Sequence, residues 1–97
     1  MSVRSSDLDR DDDALLRALR EGDERVFSDL VGQWSHMMLR LARSCVESRA
    51  VAEDVVQEAW LIVLRSLDRY ESRSTLRTWV LGIVVNLARS RARAERR

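Results

Sequence analysis

Apolar residues recur at helical spacing along most of the chain, and the sharpest pattern is in residues 52–67, AEDVVQEAWLIVLRSL. Ala52, Val55, Val56, Ala59, Trp60, Val63 and Leu67 follow the i, i+3, i+4, i+7, i+8 spacing of a buried stripe. The opposite face carries Asp54, Gln57, Glu58, Arg65 and Asp68. At about 100° per residue, Leu61 falls in the middle of that polar face, where burial inside the domain does not explain it. A helix packed on one side and charged on the other, around a lone leucine, points to a docking surface.

The flanking stretches have the same period. Residues 1–10 read as a flexible lead-in rich in Ser, Asp and Arg. Asp11, Asp12 and Asp13 then suit a helix start, where acids meet the positive end of the dipole, and Leu15, Leu16 and Leu19 give a short apolar face. Gly22 is placed to close that helix and Asp23 to cap the next. Over residues 24–46, Phe27, Leu30, Val31, Trp34, Met38, Leu41, Ala42 and Cys45 share one face, with Cys45 expected in the core. Gly32 inside this helix suggests a close approach by another helix. His36 lands on the opposite face with Arg40 and Arg43, without the partners of a metal or catalytic site. Ser48 is a candidate cap for the 52–67 helix.

After a polar loop at 71–74, Ser74 or Thr75 caps a last helix whose buried face is Leu76, Val80, Ile83, Val84 and Leu87. Its other face gathers Thr78, Gly82, Val85, Asn86, Arg89 and Arg93, with Trp79 at the border and Arg73 and Arg77 near its start. Arginine binds phosphate through a planar donor fork, and asparagine donates and accepts toward a base edge at once. The pattern fits a nucleic-acid interface; a solvated basic helix end is the plainer alternative.

Composition fits an all-α reading, a compact bundle of about four helices. Among 97 residues there is no proline and there are three glycines, which favours long helices with short connections. The net charge of +1 hides a gradient: residues 1–30 balance to −4, while residues 71–97 carry seven arginines against Glu71 and Glu95. A basic end meets phosphate and an acidic end is repelled by it. One cysteine excludes an internal disulfide framework and fits a reducing compartment. No apolar run reaches the roughly 18–20 residues of a membrane span, so no membrane insertion is expected and the cytoplasm is the default location. No glycine-rich phosphate loop, Glu-x-x-His pair or nucleophile with a base is present, so neither catalysis nor a metal or other cofactor is expected.

From about residue 14 to 93 the chain resembles region 2 of a sigma factor of the sigma-70 family, most of all the small extracytoplasmic-function group. Two segments carry the resemblance: AEDVVQEAW at 52–60 and, after a loop, RTWVLGIVVNLA at 77–88. The resemblance implies a transcription initiation factor domain spanning residues 11–97, without chemistry of its own. By position, Asp54, Gln57, Glu58, Leu61, Arg65 and Asp68 would meet the clamp coiled coil of the largest subunit of core RNA polymerase. The loop and last helix would open and read the promoter −10 element, holding a flipped base of the non-template strand. Arg73, Ser74 and Thr75 would form the rim, with Trp79 and Asn86 behind it and Arg77, Thr78, Arg89 and Arg93 along the strand. Such factors also meet anti-sigma proteins, which would use the same faces.

The chain departs from the family in places. An aromatic residue often stands where this chain has Leu76, and aromatics that wedge the duplex open are sparse. A full member continues to a helix-turn-helix domain, so an isolated domain of a longer protein is expected. A helical oligomerisation module without DNA binding is the competing class.

Overall fold

The computed structural model describes residues 5–96, with side chains from residue 12. Helices α1 (Ser5–Arg20), α2 (Glu24–Arg43), α3 (Arg49–Ser66) and α4 (Leu76–Glu95) follow one another, and a single 3-10 turn, Leu67–Arg69, extends α3. The lead-in expected over residues 1–10 lies partly outside the described residues. α1 begins at Ser5, so Asp12 and Asp13 stand inside it rather than at its first turn.

The helix ends are set by the residues that the sequence offers for them. Gly22 takes φ 79, a left-handed conformation that costs glycine nothing. Its N–H reaches Leu19 O at 3.1 Å and the Asp23 N–H reaches Ala18 O at 3.0 Å, the paired closure of a Schellman end. Asp23 Oδ1 then accepts from the Arg25 and Val26 amides, both at 3.1 Å, and starts α2. Ser48 Oγ caps α3 through the Val51 amide, and Thr75 Oγ1 caps α4 through the Thr78 amide. The β-branched run Ile83-Val84-Val85 stays helical.

α2, α3 and α4 pack around one core. Its fully enclosed members include Met38 from α2, Val55 and Val63 from α3, and Leu76, Val80 and Val84 from α4. All seven stripe residues from Ala52 to Leu67 are buried. Phe27 meets the Trp60 ring edge-on, with centroids 5.6 Å apart at 87°. The Trp60 indole N–H donates to Ser35 Oγ at 3.0 Å, so the large ring is buried with its one donor satisfied. Leu16 and Leu19 bring α1 onto this core.

Two expectations are corrected. α2 ends at Arg43, where the Ser44 hydroxyl donates to Leu41 O at 2.6 Å and competes with continuation of the helix. Cys45 falls in the turn past the helix end, half-buried but packed against the core, and Val46 beside it is buried. Gly32 faces open space: a Cβ there meets nothing within 4 Å, so no helix approaches it closely. Among the described residues no helix is long and apolar enough to cross a membrane.

Candidate polymerase and nucleic-acid interfaces

The first candidate surface is the outer face of α3. Because the buried stripe consumes one side of the helix, Asp54, Gln57, Leu61 and Arg65 are left exposed. Leu61 is 50% exposed, as its place on the wheel requires, and Leu64 at 43% stands one turn along beside it. Leu64 is three residues on from Leu61, and that i, i+3 spacing is the sequence signal that pairs them on the outer surface. An apolar pair framed by charges is a stronger docking feature than a single leucine. Asp68 lies beyond this helix, exposed on the 3-10 turn.

Glu58 is half-buried, and its Oε1 accepts from Arg91 Nη2 of α4 at 2.9 Å. The two side chains are 43% and 40% exposed, so the pair is partly screened and ties α3 to α4 more by geometry than by energy. Arg91 lies off the arc of Arg89 and Arg93, so helical period alone does not single it out.

The second surface begins at residues 70–75, between the 3-10 turn and α4. Tyr70 is buried, its ring tilted 35° against Trp79 with centroids 4.8 Å apart. Its hydroxyl donates to Ser74 O across the loop. Ser72 takes φ 60, a conformation that costs a residue with a Cβ about 1–2 kcal/mol. Arg73 projects outward, 86% exposed at its side chain, with Glu71 3.0 Å away.

These residues wall a cleft of about 380 Å³, lined by Tyr70, Ser72, Arg73, Ser74 and Thr75 on the loop and by Asp12 and Asp13 on α1. The expected rim residues Arg73, Ser74 and Thr75 are thus brought together. Trp79 and Asn86 do not line it: Trp79 stands one layer back, behind Tyr70. Asp12 and Asp13, read from the sequence only as a helix start, form the far wall.

From the loop, α4 carries an exposed row. Arg77, Thr78, Gly82, Asn86, Arg89 and Arg93 are all exposed, with Val85 half-buried among them. Thr78 Oγ1 accepts from Thr75 Oγ1 at 2.9 Å, which fixes the start of the row against the cap. A Cβ at Gly82 would meet nothing within 4 Å, so the row has a gap there where a flat group can come close to the helix. Arg89 and Arg93 also border Cys45 and Arg96 at the far end. The face carries one amide, Asn86, two aligned arginines, Arg89 and Arg93, and an open backbone patch at Gly82, with Arg77 exposed off this face near the helix start.

Residues 30–97 match the family model described as Sigma-70 region 2. Over 79 residues the chain is 35% identical to the ECF RNA polymerase sigma-E factor of Escherichia coli strain K12, covering 81% of this chain and 41% of that protein. It is 33% identical over 79 residues to the RNA polymerase sigma-H factor of Pseudomonas aeruginosa, with the same coverage. The chain therefore spans about two-fifths (41%) of the length of these relatives. Among solved structures it is similar to an engineered region 2 of sigmaE, determined by NMR in complex with GTAAAA. The TM-score is 0.75 at 32% identity, over 87% of each chain.

Proposed function

This chain belongs to the Sigma-70 region 2 family, with extracytoplasmic-function relatives, and on that premise we propose that it docks on core RNA polymerase through α3 and takes hold of the promoter −10 element through the 70–75 loop and α4. The observation that carries the reading is the division of the exposed surface. Apolar docking residues lie on one helix, Leu61 and Leu64, while Arg73, Arg77, Arg89 and Arg93 lie on the loop and the next helix. Both rest on one core, so a promoter strand is held at a fixed position relative to the polymerase.

On α3, Leu61 and Leu64 enter an apolar seam of the partner, the clamp coiled coil of the largest polymerase subunit. Asp54, Gln57, Glu58, Arg65 and Asp68 supply the polar rim that sets orientation. Removing Leu61 costs about 1–2 kcal/mol of docking energy, roughly tenfold in affinity.

On the DNA side, the arginines neutralise phosphates of the non-template strand, and counterion release drives that part of binding. The cleft at the loop has carboxylates on one wall and Arg73 on the other. Phosphate is repelled from the carboxylate wall, so a flipped base enters and the backbone follows the arginine side. Flipping costs a few kcal/mol, offset by these contacts once the strand is open. The complex of the structural neighbour with GTAAAA supports an oligonucleotide as the ligand of this fold.

The direct test of docking is retention of core RNA polymerase on immobilised chain. Leu61→Ala and Asp54→Asn are expected to lower retention while leaving the melting temperature in place, since both positions are exposed. Retention equal to the parent for both variants removes α3 as the docking element.

A further inference from the structure

Helix α1 grips the DNA-facing loop at both ends. At the start, Arg20 Nε and Nη2 donate to Leu67 O at 3.0 and 2.7 Å, and Nη2 also donates to Tyr70 O at 3.1 Å. Leu67 opens the 3-10 turn and its carbonyl also accepts from the Tyr70 N–H at 3.3 Å, while Tyr70 O lies just past the end of the turn. At the far end, Asp12 Oδ2 accepts from the Leu76 N–H at 2.7 Å. That amide is the first of α4 and belongs to the set a helix leaves unsatisfied. The two grips are made by side chains eight residues apart on α1, and both contacts span about half the chain or more, 47 to 64 residues in sequence.

Between them lies the Ser72 backbone at φ 60. A non-glycine residue stays in that region only where its surroundings over-determine it. Here the anchors are Arg20 before it and Asp12 after it, with the Tyr70 hydroxyl bridging to Ser74 O inside the loop. Neither Asp12 nor Arg20 lies within residues 30–97, the part that matches the family model.

We propose that α1 is a clamp that holds the 70–75 loop in its base-accepting shape, with Asp12 and Arg20 as positioning residues for promoter recognition. The clamp acts before binding: a loop already ordered gives up little conformational freedom when a base enters. A loop held in one shape also cannot remodel around a poorly fitting base, so the clamp sharpens discrimination between bases as well as affinity. The inference rests on the loop being a −10 surface.

The test uses the full chain and single-stranded GTAAAA with its single-position substitutions, read by fluorescence anisotropy beside a thermal melt and polymerase retention. Asp12→Ala is expected to lower affinity for GTAAAA about tenfold, the worth of one charge-assisted hydrogen bond, and to flatten the ranking among substituted oligonucleotides. Asp12→Asn retains an acceptor oxygen and restores most of the ranking. Arg20→Lys does not rescue Arg20→Ala, because one ammonium cannot reproduce the forked contact to two carbonyls. Polymerase retention stays at the parent level throughout.

Ser72→Gly keeps both anchors yet frees the loop; it is expected to melt no lower than the parent and still to lose ranking. It keeps the proposal open to refutation if Asp12→Ala folds poorly. A parent chain that binds GTAAAA no better than its substituted forms removes the DNA reading and the clamp with it. Discrimination present in the parent and intact in folded Asp12→Ala and Ser72→Gly overturns the clamp alone.

Discussion

Asn86 and Arg89 are neighbours on the exposed face of α4, but their chemistry assigns them different measurements. An arginine on phosphate contributes equally to every sequence, so Arg89→Ala is expected to weaken all oligonucleotides and reduce the salt slope by about one. An amide on a base edge contributes to one sequence over another. Asn86→Ala is therefore expected to change the order of affinities, by about 1–3 kcal/mol at the position it reads. Binding isotherms over a salt series with several oligonucleotides check both; an unchanged order in Asn86→Ala withdraws its base-reading role. Cys45 follows the helical period but sits just past the end of α2, half-buried and packed against the core. Asp12 reads from its neighbours only as a helix start, because its partner amide at Leu76 is 64 residues away. No local pattern encodes a contact of that range.

Among the elements, α3 and α4 were the most legible. The buried stripe of α3 follows the helical period throughout. On α4, Leu76, Val80 and Val84 are buried where the period places them, while Ile83 and Leu87 are half-buried against the core and Ala88 is enclosed. Ser48 and Thr75 mark where the two helices start. The same period left Leu61 on the outside, and that is where it stands. The loop between them was legible as a loop and no further, since its shape depends on α1, Tyr70 and a left-handed Ser72. The two mid-helix glycines give a test of how the elements divide stability and function. Each leaves open space where a Cβ would stand, so Gly32→Ala and Gly82→Ala are each expected to stabilise the fold by about 1 kcal/mol in urea denaturation. Gly32→Ala should leave oligonucleotide binding unchanged, whereas Gly82→Ala, placed in the DNA-facing row, should weaken it. Equal binding by both variants means the strand does not approach α4 closely at Gly82. By contrast, Leu76→Ala removes a fully enclosed side chain at the joint of loop and core. A loss of about 2–5 kcal/mol is expected from the cavity, measured as a lowered denaturation midpoint.

Over the whole molecule, a single core holds the two working surfaces, and the Glu58–Arg91 pair crosses from the helix of one to the helix of the other. The charge gradient along the chain acquires a spatial meaning. The basic end lies along the α4 row, and the acidic first helix contributes one wall of the loop cleft, where under the proposed function it would turn phosphate away. A rigid body with two independent faces has a simple consequence: damage to one face should not reach the other. The most direct measurement is a paired assay of core polymerase retention and single-stranded GTAAAA binding on the same preparations of Leu61→Asp and Arg89→Ala. Leu61→Asp is expected to lose polymerase and keep the oligonucleotide, and Arg89→Ala to weaken the oligonucleotide and keep polymerase, with both melting as the parent does. Parent-like polymerase retention by Leu61→Asp, or loss of both partners in either folded variant, would contradict that independence.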